Sequence, residues 1–151
     1  MCGLCKHGKA LSFDGSSDKV LVNDSSMLRV SNNFTLSLWF KPSSTTQSNK
    51  YILSRNNSVG TNQSAIIYEY VNDQVEFYAT GYTGSDPRTG SQIPIIDTNW
   101  HNITYSYNGT TWAGYLDGVN VFSTSRTFGL STVVLDGWYL GSACYYRLYE
   151  W

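Results

Sequence analysis

The chain has 151 residues, of which 41% are hydrophobic and only 14% carry a charge, and its ten basic residues nearly balance its eleven acidic ones. This length fits a single domain whose core can form without disulfides. The charge balance argues against nucleic acid or an anionic membrane surface as a partner, because both are bound by clustered Lys and Arg. No apolar stretch is long enough to span a bilayer, so the sequence predicts no membrane insertion.

The first residues, MCGLCKHGKALSF, lack the apolar segment of a secretory signal peptide, so no signal peptide is predicted in this chain. Ser, Thr and Asn supply most of the polarity, a composition common among β-rich proteins that work outside the cytoplasm. We therefore expect an extracellular or virion-surface protein that is either an excised piece of a longer one or exported within an assembly.

Alternation of apolar and polar residues with a period of two predicts short β-strands along the whole chain. The clearest case is FTLSLWF, whose apolar residues at 34, 36, 38 and 40 share one side. The other predicted strands are Ala10–Phe13, Lys19–Val22, Tyr51–Ser54, Ala65–Tyr70, Val75–Thr80, His101–Tyr107, Thr111–Leu116 and Val134–Leu140. Turn residues bound these runs and no helical period competes, so the sequence predicts an all-β antiparallel sandwich or barrel.

The segment 99–121 predicts a three-stranded meander. Its two turn pairs, Asn108-Gly109 and Asp117-Gly118, readily adopt positive φ at both positions, as a two-residue type I′ turn requires. We therefore expect three neighbouring strands in register.

Alternation separates the side chains of this meander into two faces. One face carries His101, Ile103, Tyr105 and Tyr107, and the other carries Asn102, Thr104 and Ser106. On the following strand we expect Trp112 to fill the core beside Gly114, and Tyr115 to point outward with the polar set.

Five segments resemble the successive signatures of the laminin G-like jelly-roll domain, a member of the concanavalin A-like lectin/glucanase superfamily. They are ALSFDGSSDKVLV, FTLSLWFKP, YILSR, NWHNITYSYNGTTWAGYLDGVNV and YLGS, and together they extend from Lys9 to Ser142. The resemblance implies a two-sheet antiparallel jelly roll, usually non-catalytic, that binds glycans or proteins and is often part of extracellular or viral assemblies. It divides the chain into an N-terminal tail, residues 1–8, and a β-sandwich domain, residues 9–151.

The C-terminal end departs from the family pattern, which continues past the LGS motif to a strand that pairs with the first one. Here Tyr146–Tyr149 offers a shortened version of that strand. If it does not pair, the edge at Ala10–Phe13 is open, and an open edge favours pairing with a neighbouring chain. We therefore expect other chains of an assembly to bind through this edge or through the N-terminal tail.

The superfamily includes glycoside hydrolases, so the resemblance also allows an enzymatic function. Glycoside cleavage needs two carboxyl groups that face each other across the sugar bond. The nearest set, Glu69, Asp73 and Glu76, lies across a predicted turn at Asn72-Asp73 and is interpreted as solvated hairpin charge. We expect His101 to be a hydrogen-bonded core or edge residue rather than a catalytic base, and we predict that the protein is not an enzyme.

The N-terminal tail carries Cys2, Cys5 and His7, whose spacing could supply three of the four ligands of a zinc site. The same two cysteines could instead close a small disulfide, or remain ordinary thiols. The sequence leaves these three possibilities open.

Calcium is the other metal considered. Asp14 and Asp18 stand where related jelly rolls often use carboxylate and backbone oxygens, and Ca²⁺ binds six to eight oxygens. Asp14-Gly15 could equally be a turn with no metal.

Sugar binding by such a fold needs aromatic side chains beside amide and hydroxyl groups. Trp39, Tyr78 and Tyr115 occupy outward positions and are the candidates for carbohydrate binding. A loop or a neighbouring subunit could instead cover them. The sequence thus supports a recognition module for carbohydrate or a protein surface and, as the alternative, a structural or decoration protein of a virion or other assembly.

Overall fold

A computed structural model describes residues 9–30, 33–45, 50–55, 66–71, 73–79, 92–125, 127 and 137–141, with only the backbone described at 66–71, 78 and 79. In these ranges the chain forms ten strands and a short 3-10 helix, Ser26–Leu28. The strands are β1 (Val20–Asn23), β2 (Phe34–Phe40), β3 (Lys50–Arg55), β4 (Ile66–Val71), β5 (Gln74–Ala79), β6 (Ile93–Pro94), β7 (His101–Tyr107), β8 (Thr111–Leu116), β9 (Val119–Ser125) and β10 (Gly137–Leu140).

The strands form two sheets, one of six strands in the order β1-β10-β3-β4-β5-β6 and one of four in the order β2-β7-β8-β9. Every strand pair in the described residues is antiparallel. The late strand β10 lies between the early strands β1 and β3, as a jelly roll requires. The predicted all-β fold, a two-sheet antiparallel jelly-roll sandwich, is confirmed.

The core lies between the two sheets and is largely aromatic. Phe77 of the six-stranded sheet and Trp112 of the four-stranded sheet have ring centroids 4.3 Å apart, and Trp112 is only 1% exposed. The remaining buried apolar residues around them are Val75, Ile93, Ile95, Ile103, Tyr105, Tyr107 and Trp138. Burying each large apolar side chain stabilises the fold by roughly 1.5–3 kcal/mol. The predicted core positions of Trp112 and of the odd-numbered β7 residues beyond His101 are confirmed.

One buried hydroxyl joins the two sheets. Tyr105 is fully buried, and its hydroxyl donates a hydrogen bond of 2.9 Å to the carbonyl of Val75 on β5. Burial, with a smaller contribution from the charge of Glu76, raises the pKa of Tyr105 well above its usual value. The hydroxyl therefore remains a neutral donor at any physiological pH.

Gly114 allows β9 to close over the core. A Cβ atom at this position would lie 2.2 Å from the ring of Phe122, which is far inside contact distance. Phe122 lies opposite Gly114 in the β8–β9 register and packs against Trp112. The absence of a side chain at residue 114 is therefore what admits the Phe122 ring.

The two predicted turns of the meander have different outcomes. Asp117 and Gly118 have φ of 51° and 83°, so the type I′ prediction is confirmed. At Asn108-Gly109 the type I′ prediction is wrong, because Gly109 has positive φ and Asn108 does not. The side-chain oxygen of Asn108 accepts hydrogen bonds from the backbone N–H groups of Thr110 and Thr111, which holds Asn108 before the turn rather than at its centre.

The first strand also differs from the prediction. Residues 10–13 form no strand, so the prediction of a strand there is wrong. Among the described strands, β1 lies at this edge of the six-stranded sheet. Tyr146–Tyr149 lies outside the described residues. The two-residue strand β6 was not predicted, because a proline in so short a run argues against a strand.

The described residues include no helix that is long and apolar enough to cross a membrane.

Candidate functional site

The four-stranded sheet presents one polar face away from the core, here called the outer face. Its β2 residues alternate strictly, so that the apolar side chains are half-buried while Thr35, Ser37 and Trp39 are exposed. Register places the members of the face in rows across the sheet. The outer face consists of Thr35, Ser37, Trp39, Asn102, Thr104, Ser106, Thr111, Ala113, Tyr115, Asn120, Ser123 and Ser125.

Two aromatic side chains flank the centre of the outer face. Trp39, which is 45% exposed, lies opposite Asn102, and Tyr115, which is half-buried, lies opposite Thr104. The two residues are thus two strands apart and two positions apart along the strands, which separates their Cα atoms by roughly 12 Å. Both have an apolar ring and a polar atom, the combination that favours stacking on a sugar with a hydrogen bond at its rim.

A hydrogen-bond network fills the surface between the two rings. The hydroxyls of Ser37 and Thr104 are 2.8 Å apart, and Thr104 donates to Asn102 Oδ1 at 3.1 Å. Asn102 Nδ2 donates to Ser37 Oγ at 3.2 Å and to the carbonyl of Leu38 at 3.3 Å. Each side chain fixes the orientation of the next, so the hydroxyl and amide groups are preorganised on a rigid sheet.

A bulge at β9 places a further amide beside Tyr115. The register of β8 and β9 shifts between Gly114 and Tyr115, and Asn120 lies opposite Tyr115. Asn120 Nδ2 donates to the carbonyl of Phe122 at 3.0 Å and to Ser123 Oγ at 3.2 Å. The exposed amide is therefore held in place by its own strand.

One end of the outer face carries an ionisable cluster. His101 Nδ1 lies 2.9 Å from Asp117 Oδ2, and its Nε2 lies 3.0 Å from Asp97 Oδ1. Partial burial lowers the pKa of His101, but the hydrogen bonds and charges of Asp117 and Asp97 outweigh it and raise the pKa above its usual value. His101 is hydrogen-bonded through both ring nitrogens at the start of the central strand β7, which agrees with the prediction of a hydrogen-bonded core or edge residue.

The two carboxylates of this cluster also bind the backbone. Asp97 Oδ1 accepts from the N–H of Asn99 at 2.6 Å, which with the hydrogen bond from His101 lowers the pKa of Asp97. Asp117 Oδ1 accepts from the N–H of Asn102 at 2.8 Å. The cluster thus ties the 97–99 loop, the start of β7 and the β8–β9 turn together at the Trp39 end of the outer face.

The predicted calcium residues do lie together, but they bind the loop itself. Asp14 Oδ1 accepts the backbone N–H groups of Ser16, Ser17 and Asp18, and the N–H of Asp14 donates to Asp18 Oδ2 at 3.0 Å. The hydrogen bonds from Asp18, and then those from Ser16 and Ser17, hold the pKa of Asp14 well below its usual range. These contacts are those of a self-closed turn, the alternative that the sequence left open.

This arrangement does not fit a calcium ligand set. Calcium requires six to eight oxygens with free lone pairs, whereas the Asp14 carboxylate already accepts four hydrogen bonds, including one from Ser17 Oγ. Within the described part of the chain, no three or more His, Cys, Asp or Glu residues are placed to hold a metal ion. Calcium binding by Asp14 and Asp18 stays a prediction.

A partly buried ion-pair triad lies near β1. Asp24 Oδ2 accepts from Arg29 at 2.6 Å, and its Oδ1 accepts from Arg55 at 2.9 Å. Arg55 is 2% exposed, and its guanidinium carbon lies 5.9 Å from the centre of the Trp138 ring. Hydrogen bonds from Arg29 and then Arg55 lower the pKa of Asp24. This triad was not predicted, because 31 positions separate Asp24 from Arg55 in the sequence.

The remaining predicted site residues are Tyr78 and the three residues of the N-terminal tail. Tyr78 lies on β5 of the six-stranded sheet, so it does not share a sheet with Trp39 and Tyr115, and its side chain is not among those described. Cys2, Cys5 and His7 lie outside the described residues. The zinc and disulfide hypotheses for the tail stay predictions.

The sequence indicates Asp117 only as a turn residue and does not single out Asp97. The i, i+4 spacing of Asp97 and His101 could have indicated half of the cluster. The other half depends on the pairing of β7 with β8, which places Ile103 opposite Leu116 and so brings Asp117 to the start of β7.

Comparisons with known proteins agree with this architecture. The family model for laminin G-like domains of the "Concanavalin A-like lectin/glucanases superfamily" matches residues 14–145. No curated protein matches the chain.

Three solved structures are similar in fold. Domains LG4-5 of the mouse laminin alpha1 chain are 19% identical, with a TM-score of 0.48 and coverage of 74% of this chain and 30% of that one. A carbohydrate esterase from the Shiga toxin-encoding bacteriophage phi24B is 13% identical, with a TM-score of 0.41 and coverage of 70% and 57%. Sheep galectin-11 in complex with glycerol is 10% identical, with a TM-score of 0.38 and coverage of 82% and 87%.

The chain thus spans less than two thirds of the laminin chain and of the esterase chain that it matches. The family model, in contrast, covers nearly the whole described region, from the Asp14 turn to the end of β10. The chain belongs to the laminin G-like family of the concanavalin A-like lectin/glucanase superfamily.

Proposed function

We propose that this protein is a non-catalytic recognition module that binds carbohydrate on the outer face of its four-stranded sheet. The observation that carries the proposal is the placement of Trp39 and Tyr115 on either side of the hydrogen-bonded Ser37, Asn102 and Thr104. Aromatic faces stack on the C–H faces of sugars, while hydroxyl and amide groups exchange hydrogen bonds with sugar hydroxyls.

The preorganised network supports binding over a purely structural role for this face. Ser37 and Thr104 lie on neighbouring strands, and their hydroxyls retain lone pairs that a sugar hydroxyl can use. A rigid sheet surface loses little conformational entropy when a ligand binds. Membership of the family supports the same role, and we propose an extracellular or virion-surface location for it.

The test compares Trp39→Ala combined with Tyr115→Ala against the unaltered protein on an array of oligosaccharides. We expect the double variant to bind at least about tenfold more weakly, a loss on the order of 1.4 kcal/mol. Met27→Ala is the control, because Met27 is 92% exposed in the short 3-10 helix, away from the outer face. Unchanged binding by a double variant that keeps its far-ultraviolet circular dichroism would refute the site.

A structural or decoration role is the second candidate. Several apolar side chains near the edge strand β1 are exposed, among them Leu11 at 63% and Leu21 at 48%. A neighbouring chain that packs on this edge would bury them. Light scattering of the native material tests this role, and a monomer at micromolar concentration would count against it.

A further inference from the structure

The charge of the outer face points to the class of ligand that it accepts. Of the twelve described residues that form the face, none is an acid or a base that is charged at neutral pH. Selective binding of sulfate, phosphate or carboxylate groups on a ligand relies on Arg or Lys, whose charge-assisted hydrogen bonds supply affinity and geometry. These twelve residues offer no such group to an anionic ligand.

The cations elsewhere in the described residues are mostly engaged by other partners. Arg29 and Arg55 bind Asp24, and Lys50 donates to the carbonyl of Gly15 at 2.9 Å. Lys41 is exposed and follows the end of β2, where it is a single ammonium group beside the Trp39 end. One exposed lysine is weaker than the clusters that anionic polymers require.

The charges that adjoin the face are dominated by carboxylates. The side chains of Asp97 and Asp117 are each 46% exposed, and the one imidazole between them, His101, is only 12% exposed. Even when His101 is protonated, this cluster keeps a net negative charge. A sulfate or carboxylate on a ligand that lies over Trp39 would approach this charge, whereas a sugar hydroxyl would donate a hydrogen bond to it.

The separation of the aromatic rings adds a constraint on ligand shape. The Cα atoms of Trp39 and Tyr115 are roughly 12 Å apart, so a ligand that places one sugar unit on each ring is an extended one. A ligand that uses both rings crosses the Ser37–Thr104 hydroxyl pair, which lies between them.

We infer that the ligand of the outer face is an extended, uncharged oligosaccharide, an inference that rests on the proposed function. Sulfated or sialylated glycans are disfavoured at the end of the face that carries Asp97 and Asp117.

The experiment uses an array on which each neutral oligosaccharide is printed beside its sulfated or sialylated derivative. We expect the neutral member of each pair to be retained roughly three- to tenfold more strongly, the range that a few partly screened charge contacts produce. In the variant with Asp97→Asn and Asp117→Asn, binding of the acidic member should increase toward that of the neutral one. Asn tolerates the positive φ of residue 117, so the turn is retained.

A salt series on the unaltered protein gives an independent measurement if the double variant does not fold. Higher ionic strength should narrow the difference between neutral and acidic members, because it screens the repulsion. Lys41→Gln should leave the preference in place.

Equal or stronger retention of the acidic members overturns the inference while leaving carbohydrate binding intact. A Lys41→Gln variant that loses acidic binding also overturns it. Retention of neither class overturns the proposed function and this inference with it.

Discussion

His101 and Asp117 fasten the start of β7 to the turn between β8 and β9, with Nδ1 and Oδ2 2.9 Å apart. The opposite nitrogen of the same imidazole faces Asp97 at 3.0 Å. Only a protonated imidazole donates to both carboxylates at once, because a neutral ring carries one N–H. The stability of this end of the sheet therefore depends on pH.

The pKa of His101 is raised in the folded protein, so its contribution is fully present below the unfolded pKa of about 6.5 and is lost as pH rises through the folded pKa. We expect the melting temperature of the unaltered protein to exceed that of His101→Gln by more at pH 6 than at pH 9. Differential scanning calorimetry of both proteins across this range measures the difference. A gap that widens toward pH 9 would contradict the assignment.

At acidic pH, the pH dependence of stability at this end of the sheet comes from the Asp97 carboxylate. The pKa of Asp97 is lowered in the fold, so the stability that it contributes is present above its unfolded pKa of about 3.9 and is lost as pH falls through the folded pKa. Asp97→Asn should therefore reduce the loss of melting temperature between pH 5 and pH 2 relative to the unaltered protein.

Gly114→Ala should destabilise the fold by about 1–3 kcal/mol, since overpacking forces the Phe122 ring or the strand to move. Urea denaturation measures the change. The combined variant Gly114→Ala with Phe122→Leu should recover part of the loss, because the smaller side chain vacates the space. Gly118→Ala is the contrasting control: its Cβ meets nothing within 4 Å, so any loss there comes from the positive φ of 83°. A Gly114→Ala variant as stable as the parent would contradict the observed packing.

Tyr105→Phe should cost about 1–2 kcal/mol, because it removes a buried hydrogen bond between the two sheets. Tyr107→Phe is the matched comparison, since its hydroxyl donates to the carbonyl of Gly109 at 2.7 Å in a less buried position. We expect the smaller loss at residue 107 in chemical denaturation. Equal losses in the free energy of unfolding would contradict a larger contribution from the hydrogen bond between the sheets.

Asp24→Ala should lower the melting temperature strongly, because it leaves the buried guanidinium of Arg55 without a counter-charge. Adding Arg55→Met to this variant should restore part of the loss, since the uncompensated charge is then removed. Thermal denaturation of the two single variants and the double variant forms the cycle. Simple additivity of the two changes would contradict coupling between these residues.

Much of the outer face was predictable from local pattern. Strict alternation in β2 predicts that Trp39 faces outward, and alternation in β8 predicts the same for Tyr115. The Asp117-Gly118 turn predicts the pairing of β8 with β9. These features depend on local period and turn type.

What the sequence could not supply depends on contacts between distant segments. Alternation predicts an outward position for Tyr78 as it does for Trp39. Alternation does not, however, reveal which sheet a strand joins, and β5 and β2 belong to different sheets. The triad of Asp24, Arg29 and Arg55 requires β1 and β3 to lie on either side of β10. β10 comes much later in the chain, so the local sequence around these three residues does not indicate this order. The Asn-Gly pair predicts Asn108 at the centre of its turn. In the structure its side chain caps the turn instead, and this capping competes with the preference of Asn for positive φ.

The β-bulge in β9 determines where this hairpin can gain or lose a residue. Val121 has no partner in the register, while Asn120 and Phe122 on either side of it keep theirs. Deleting Val121 would leave a regular hairpin with Phe122 still directed inward. A residue inserted between Phe122 and Ser123 would reverse every side chain beyond it. Single-residue length variation among natural relatives should therefore concentrate at position 121.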